Sequence, residues 1–382
     1  MRNDTGSVFF ELLKASLWGG SSDNANLYLN LDRTTDWHKM YQLAQEQSVQ
    51  GIMLQGIEWF KNHNDNLNVN IPQVLLLQWI GEVQIIEQRN KEMNVFISEL
   101  IEKLRKEDIY AILVKGQGVA QCYEKPLWRC SGDIDLFLSN DNYQKAKTLL
   151  VPLASSVEEE YVREKHVGMT IDGWLVELHG HLYSGLSSKV EKELDKLQEN
   201  TFYGGQVRSW MNGQMQIFLL KAENDAFYVF AHILQHFYKE GVGLRQICDW
   251  CRLLYTYRDS LDYGLLESRI RSSGLVSEWK AFYNLASRYL GMPDFGSGLT
   301  VHDSRFDKNA DRIMEFILKS GNMGHNRDMS HFSKYPYLIR KCVSMGRRIS
   351  DLINHARIFP LDSLRFFPRI MFNGVMSAIR GE

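Results

Sequence analysis

The 382-residue sequence is poor in proline and cysteine, with seven and five residues respectively. An odd and sparse set of cysteines argues against a disulfide-stapled secreted domain and favours a reducing compartment. No apolar run approaches the roughly 18 to 20 residues that a membrane-spanning helix needs. The polar start Met1–Ser7 also lacks the apolar core of a signal peptide. We therefore expect a cytoplasmic protein without a transmembrane segment.

A strong charge of either sign is also missing, since 44 Lys and Arg against 46 Asp and Glu leave a net charge of −2. The whole chain therefore gives no indication of nucleic-acid or anionic-membrane binding. Residues 332–382 are the local exception, with nine basic and three acidic side chains among several phenylalanines. A docking surface for nucleic acid, acidic protein or lipid headgroups is one interpretation. We favour amphipathic helices that pack on the domain with their arginines in solvent, so nucleic acid is not the preferred partner.

Helical spacing of apolar residues dominates both ends of the chain. Before residue 106 the clearest helix runs from Glu82 to Arg105, whereas strand patterns are confined to the middle of the sequence. We therefore predict an α+β fold, in which a small mixed β-sheet is flanked by helical regions. The predicted regions are an N-terminal helical region at 1–105, a sheet core at 106–205, and a C-terminal helical region with the basic tail at 206–382.

Local patterns predict the ends of several elements. An apolar run at Ile109–Val114 predicts a buried strand, and Asp172-Gly173 predicts a tight hairpin between strands His166–Ile171 and Trp174–His179. The other expectations are a strand at Glu158–Val162, helix N-caps at Asn140 or Asp141 and at Asn224 or Asp225, and an exposed loop at Met323–Ser333.

The segment Gly132-Asp133-Ile134-Asp135 leads into the apolar run Leu136–Leu138. On a strand, Asp133 and Asp135 point to one face while Ile134 points to the other, into a core. Two neighbouring carboxylates repel each other, and a divalent cation relieves the repulsion. Hard oxygen ligands favour Mg²⁺, Mn²⁺ or Ca²⁺. Gly132 leaves room for a ligand beside the pair, although a solvated Asp-x-Asp at a strand edge remains the alternative.

Two further groups are expected near this pair. Lys115-Gly116 ends the predicted first strand and opens a short helix, so Lys115 supplies positive charge while Gly116 lets phosphate oxygens approach the backbone. Glu177 lies on the second arm of the predicted hairpin and shares a face with His179. We expect Glu177 to be a third metal ligand, and His179 to contact phosphate or the surroundings of the metal.

Two other histidine and cysteine patterns are weaker. His232 and His236 are spaced i, i+4 on a predicted helix, but no Glu follows the first His as in the zinc-protease motif. Cys248 and Cys251 form a lone Cys-x-x-Cys without the second pair of a zinc site. We interpret the histidines as core or cleft-lining residues, and we expect neither a zinc site nor a redox role for the cysteines.

The motifs Lys115-Gly116, Arg129, Asp133-Ile134-Asp135-Leu136 and Glu177-Leu178-His179 resemble those of a bacterial family of uncharacterised nucleotidyltransferases in the polymerase-β-like superfamily. The resemblance covers roughly Trp37 to Leu254. It implies that Asp133, Asp135 and Glu177 are catalytic metal ligands for Mg²⁺, or alternatively Mn²⁺. It also implies phosphate contacts from Lys115, Gly116, Arg129, Gly132 and His179. The superfamily's usual Gly-Ser or Gly-Gly is Gly116-Gln117 in this chain.

The reaction implied by this resemblance transfers a nucleoside monophosphate from an NTP, ATP among them, to an unknown hydroxyl acceptor with release of pyrophosphate. Two metal ions would act on the attacking hydroxyl and on the triphosphate. Two alternatives remain at this point. One is a non-catalytic protein of the same fold that binds a nucleotide or a partner. The other is a toxin–antitoxin-like component that modifies RNA or protein.

Overall fold

The computed structural model describes residues 4–19, 35–63, 70–162, 164–239, 241–296, 298–322, 337–368 and 372. Within these residues a seven-stranded mixed sheet is flanked by helices on both sides in sequence, so the α+β prediction is confirmed. None of the described helices is both long and apolar enough to cross a membrane.

The helices are α1 (Asp4–Trp18), α2 (Trp37–Glu46), α3 (Gln50–His63), α4 (Gln73–Lys106), α5 (Gly116–Ala120), α6 (Asn140–Leu150), α7 (Ser188–Phe202), α8 (Ala222–Lys239), α9 (Leu244–Thr256), α10 (Tyr263–Ser273), α11 (Val276–Leu290), α12 (Asp307–Ser320) and α13 (Tyr337–Ala356). The strands are β1 (Ala111–Val114), β2 (Ile134–Leu138), β3 (Ser156–Val157), β4 (His166–Ile171), β5 (Trp174–His179), β6 (Val207–Asn212) and β7 (Met215–Leu220). Residues 360–368 are also helical.

The strands follow the order β3-β4-β5-β2-β1-β7-β6 across the sheet. The central strand β2 pairs antiparallel with β1 and parallel with β5. This register places Val114 opposite Asp135, and Asp135 opposite Glu177. Residues directly opposite each other in neighbouring strands project to the same face. The sheet thus brings two of the predicted metal ligands together across adjacent strands.

Two hydrophobic cores cover the two faces of the sheet. One face packs on the C-terminal half of α4 and on α6, through residues such as Leu100, Leu136 and Leu178. The other face holds Val114 and Phe137 and joins the larger core formed by the remaining helices. Because both faces are covered, every residue of β2 is buried, including Asp135. Asp135 lies on the second face, beneath the helices that follow the sheet.

Several local predictions are confirmed. The hairpin strands begin and end at the expected residues, and Asp172 and Gly173 in its turn have φ of +50° and +81°. A tight hairpin turn with positive φ at both central residues favours Asp-Gly, because Gly has no Cβ and Asp tolerates the left-handed region better than most residues. The predicted helix at Glu82–Arg105 is part of a longer continuous helix, α4.

Three predicted boundaries were wrong. The N-cap of α6 is Ser139, one residue before the first predicted candidate. Its hydroxyl accepts a hydrogen bond from the Asn142 amide. Helix α8 begins at Ala222, so Asn224 and Asp225 lie inside its first turn. The strand expected at Glu158–Val162 is instead the two-residue β3 at Ser156–Val157, and Tyr161 forms only an isolated bridge with His166.

The sheet also continues beyond residue 205, the predicted end of the sheet core. Strand β7 pairs in parallel with β1, and β6 forms a hairpin with β7. A short apolar run such as Met215–Leu220 has no periodicity that separates a strand from a helix. Its assignment as a strand depends on pairing with β1, which lies about a hundred residues earlier.

The two remaining expectations concern the C-terminal part. The loop expected at Met323–Ser333 lies outside the described residues. Of the basic tail, residues 337–368 are almost entirely helical, and Ile358, Phe359 and Phe366 are buried in the larger core. Packing on the domain is therefore observed for this segment. The cysteines whose side chains are described are free thiols, and Cys248 and Cys251 are both buried.

Candidate active site

Three carboxylates meet where β2 begins and β5 runs beside it. Asp133 precedes β2, Asp135 is its second residue, and Glu177 lies opposite Asp135 on β5. Each offers one carboxylate oxygen, and the three oxygens lie within 4.8 Å of one another. Carboxylate oxygens are hard donors of the kind that Mg²⁺ prefers in proteins. The donor set and spacing of this carboxylate trio fit a divalent cation.

Lys115 and His179 surround the buried carboxylate of the trio. The side chain of Asp135 is 1% exposed, and its Oδ1 lies 2.7 Å from Lys115 Nζ and 2.8 Å from His179 Nε2. The two cationic or hydrogen-bonding groups stabilise a carboxylate that burial alone would disfavour. The structure therefore brings together the predicted residues Lys115, Asp135 and His179.

A second group of possible ligands shares Glu177 with the trio. His166 Nε2 lies 3.1 Å from Glu177 Oε2, and His179 Nε2 lies 3.5 Å from the same oxygen. His166 and His179 are paired across the β4–β5 hairpin, and their rings stack with centroids 4.6 Å apart. His166, Glu177 and His179 thus form a mixed nitrogen and oxygen cluster beside the carboxylates.

The charges of the site act strongly on one another. The neighbouring Asp135 and burial both raise the pKa of Asp133. Burial also works against the charge of Glu177, but hydrogen bonds from His166 and His179 outweigh it and hold the Glu177 pKa well below its usual range. The pKa values of Asp133 and Glu177 are thus shifted in opposite directions, because Glu177 has imidazole partners whereas Asp133 lies beside another carboxylate.

The pKa values of the two basic groups, Lys115 and His179, are both raised. Burial alone would lower the pKa of Lys115, but Asp135 and the other carboxylates raise it above its ordinary value. The pKa of His179 is likewise raised, because its contacts with Asp135 and Glu177 outweigh burial. The Lys115 ammonium partly balances the trio, and the carboxylates favour the protonated form of His179.

The turn from β1 into α5 carries two consecutive residues with positive φ. Lys115 has φ of +56° and Gly116 has φ of +40°. A lysine rarely adopts this conformation, and such local strain is concentrated at functional sites. A Cβ atom on Gly116 would also lie 3.4 Å from the Asp133 carbonyl oxygen. The turn therefore holds Lys115 against Asp135 and keeps the α5 backbone close to the start of β2.

Gln117 and Arg129 are both occupied by protein contacts. Buried Gln117 donates through Nε2 to Asn90 Oδ1 on α4, which directs its side chain into the packing around that helix. Arg129 donates through Nε and Nη2 to the two oxygens of Asp249, at 2.8 and 2.7 Å. Its Nη1 donates to the Ser131 hydroxyl. Arg129 thus ties the loop before β2 to α9.

A cavity opens above the trio, with Lys115, Gly116, Gly132, Asp133 and Asp135 on its floor. Helices α8 and α9 form the opposite wall. The wall residues are Val229, His232, Ile233, Arg245, Gln246 and Asp249, and Arg129 also lines the cavity. The predicted residues Lys115, Gly116, Arg129, Gly132, Asp133 and Asp135 therefore surround one space.

Two wall residues were not recognised as site residues from the sequence. Arg245 lies one helical turn before Asp249 on α9, and its Nη1 lies 3.3 Å from Asp249 Oδ2. His232 had been interpreted as packing or cleft lining, and it does line the cavity. Burial and the nearby Lys115 charge hold the pKa of His232 well below its usual range, so its imidazole is neutral. Only the packing of α8 and α9 over the sheet reveals these positions.

The profile of a family described as uncharacterised nucleotidyltransferase matches residues 33–291, more than half of the chain. The chain belongs to this family. All of the residues that form the trio and the cavity lie inside the matched range. Membership of this nucleotidyltransferase family supports a role in nucleotidyl transfer. No curated protein and no solved structure was found to match the chain significantly.

Proposed function

We propose that this protein is a metal-dependent nucleotidyltransferase, which transfers a nucleoside monophosphate from an NTP to a hydroxyl acceptor and releases pyrophosphate. The observation that carries the proposal is the carboxylate trio, of which Asp133 and Asp135 line the cavity, in a member of a nucleotidyltransferase family. Mg²⁺ is the expected ion, with Mn²⁺ as a substitute, because the donors are all carboxylate oxygens.

Asp133, Asp135 and Glu177 would hold the metal. A bound divalent cation neutralises phosphate charge and lowers the pKa of an attacking hydroxyl. The other groups of the chain orient the substrate. Lys115 contacts the trio and lines the cavity, where its charge attracts the triphosphate. Gly132 is exposed, and a Cβ atom at this position would meet no other atom within 4 Å, so the approach to the trio is open on this side.

The two arginines of the cavity have different roles in this proposal. Arg129 is positioned by Asp249, Ser131 and its own loop, so it orders the chain before Asp133 rather than serving as the first phosphate ligand. Arg245 is 16% exposed and contacts Asp249 through one nitrogen at 3.3 Å. An arginine with donors still available suits a phosphate oxygen, so Arg245 faces the triphosphate together with Lys115.

The test is transfer of radiolabel from NTPs labelled at the α-phosphate to small alcohols, sugars, protein hydroxyls and RNA ends. Asp135→Asn keeps the size of the side chain and one acceptor oxygen, but removes the negative charge. We expect it to abolish transfer while the melting temperature stays within a few degrees. Asp172→Asn, in the exposed hairpin turn, is the matched control and should transfer at the wild-type rate. Transfer by Asp135→Asn at the wild-type rate would show that the assignment is wrong.

A further inference from the structure

A cluster of two imidazoles and one carboxylate lies beside the trio. The first residue of β4, His166, and the last residue of β5, His179, are direct partners in the hairpin. Their side chains therefore project to the same face, the face that carries Glu177. The rings are stacked with centroids 4.6 Å apart and an angle of 20° between their planes, and the Nε2 atoms of both rings approach the same oxygen of Glu177.

The separations between these donor atoms match the ligand shell of a small transition-metal ion. Glu177 Oε2 lies 3.1 Å from His166 Nε2 and 3.5 Å from His179 Nε2. A tetrahedral ion with bonds of about 2.0 to 2.1 Å keeps its ligand atoms about 3.3 to 3.4 Å apart. Asp135 Oδ1, at 2.8 Å from His179 Nε2, lies at the edge of the same group.

The donor types point to a different ion from the one expected at the trio. Imidazole nitrogen is a preferred ligand of Zn²⁺ and related transition metals, whereas Mg²⁺ prefers oxygen. Three protein ligands with a fourth position open is the arrangement of zinc sites that bind water or substrate. The local charge also favours a cation, since the three carboxylates outnumber the two basic groups beside them, the Lys115 ammonium and the His179 imidazole.

We propose that His166, Glu177 and His179 form a second metal site, which takes Zn²⁺ or a similar transition-metal ion and shares Glu177 with the carboxylate trio. A carboxylate has two oxygens and can contact both ions. The two sites would then be coupled through one side chain. The two histidine ligands lie outside the carboxylate trio, so binding of an ion at the second site does not depend on nucleotidyl transfer.

The test is a titration of the full-length, chelator-treated protein with Co²⁺, followed by visible absorption. Co²⁺ with nitrogen ligands and low coordination absorbs far more strongly than Co²⁺ held by carboxylates and water. We expect the wild type to develop this absorption up to one equivalent and to lose it when one equivalent of Zn²⁺ is added. Excess Mg²⁺ should leave it unchanged. No such absorption in the wild type would overturn the proposal.

His166→Gln is the decisive variant, because the His166 imidazole contacts Glu177, whereas the His179 imidazole contacts both Glu177 and Asp135 of the trio. We expect it to bind Co²⁺ at least about tenfold more weakly while keeping its circular dichroism spectrum and unfolding temperature. His181→Gln is the matched control, since His181 lies two residues after His179 but pairs with Asp195 at 2.7 Å. Wild-type absorption in His166→Gln, or its loss in His181→Gln, would contradict the assignment.

Asp133→Asn separates this inference from the proposed function. Asp133 belongs to the trio but not to the histidine cluster. The variant should keep the Co²⁺ absorption even though it loses binding of the Mg²⁺–NTP complex. If the protein does not bind Mg²⁺–NTP at all but still shows the Co²⁺ absorption, the proposed function fails and the second site stands. Loss of the absorption in Asp133→Asn would place Co²⁺ in the trio and overturn the second site.

Discussion

At the residue scale, the trio holds three carboxylates close together, and neighbouring basic groups offset their mutual repulsion only in part. Asp135 has Lys115 and His179 as partners, and Glu177 has two imidazoles, but the pKa of Asp133 is raised by Asp135 and by burial. A raised carboxyl pKa means that the charged form is disfavoured in the folded protein. Asp133 is therefore the member of the trio that destabilises the fold without a cation.

We predict that Asp133→Asn stabilises the metal-free protein. Removal of the charge relieves repulsion from Asp135, so the melting temperature at pH 7 should rise by about 1 to 3 °C. The measurement is thermal unfolding in the presence of a chelator, with Asp172→Asn as the control that should melt like the wild type. A lower melting temperature for Asp133→Asn than for the wild type would contradict the proposed repulsion.

A second prediction concerns the ion pair between Arg129 and Asp249, whose side chains are 3% and 7% exposed. Arg129→Leu leaves the Asp249 carboxylate buried without its bidentate partner. We expect the free energy of unfolding to fall by about 3 to 5 kcal/mol. Denaturant titration measures this loss. The double variant Arg129→Leu/Asp249→Leu should lose less, because it removes both fully buried charges and leaves only the partly exposed Arg245 without its contact to Asp249. Equal losses in the single and double variants would argue against the pair.

At the scale of elements, α4 fixes the loop that leads into the site. Asn90, near its middle, donates to the carbonyl oxygens of Leu127 and Arg129 and accepts from Gln117. One buried amide thus connects α4 with the loop before β2 and with α5. The sequence showed the apolar stripe of this helix but not the role of Asn90, because a single polar residue carries no periodic signal.

The elements of the site itself were predictable to different degrees. The strands around Asp135 and Glu177 were found because alternation and the Asp-Gly turn are local features. Strands β6 and β7 were missed because their strand character depends on pairing with β1. The N-cap Ser139 was missed by one residue, since Ser, Asn and Asp are all good caps and three of them are adjacent here.

The packing of helix α11 on the C-terminal segment gives a third prediction, about pH. Glu278 on α11 is 0% exposed, and burial together with the nearby Asp362 raises its pKa from 4.5 to about 8. Between these two values the unfolded chain has lost the proton that the folded chain retains. Stability should therefore fall as the pH rises from about 4.5 to about 8, by at most about 1.4 kcal/mol per pH unit from this group.

Glu278→Gln removes this titration while keeping the size of the side chain. We expect the variant to gain stability relative to the wild type as the pH rises through this range, when both are unfolded by denaturant at several pH values. The gain should level off above about pH 8, where Glu278 is ionised in both states. Parallel stability profiles for the two proteins would contradict the raised pKa.

At the scale of the whole molecule, the C-terminal segment completes the larger core. Phe366 is 0% exposed and lies 5.1 Å from the Tyr238 ring of α8, the helix that also forms the cavity wall. The basic composition of residues 332–382 had left a docking surface as an alternative. The described part of the segment packs on the domain through the buried side chains of Ile358, Phe359 and Phe366, whereas Ile349, Ile353, Leu361 and Leu364 are exposed.

We predict that Phe366→Ala lowers the free energy of unfolding by about 3 to 5 kcal/mol, as expected for a large cavity in a core. Phe372→Ala is the matched control, since Phe372 is 62% exposed, and it should change stability by less than about 0.5 kcal/mol. Denaturant titration of both variants provides the comparison. If both have small effects, the C-terminal segment does not contribute to the core as the structure indicates.

The cavity shows why the sequence predicted the trio better than its surroundings. Asp133 and Asp135 are close in sequence, and Glu177 occupies a recognisable position on a hairpin strand. Arg245 and His232 lie on helices whose placement over the sheet depends on contacts throughout the larger core. Arg129 was found in sequence, but the charge that holds it, Asp249, lies 120 residues away.

The most direct test of the central claim is isothermal titration of ATP, CTP, GTP and UTP into wild type, Asp133→Asn and Asp172→Asn, with and without Mg²⁺. We predict that the wild type and Asp172→Asn bind at least one triphosphate only when Mg²⁺ is present. Asp133→Asn should show no such binding, because it removes one negative charge from the trio and replaces a carboxylate oxygen with an amide nitrogen that does not bind Mg²⁺. Equal, Mg²⁺-dependent binding by Asp133→Asn, or no binding of any of the four nucleotides by the wild type, would contradict the account.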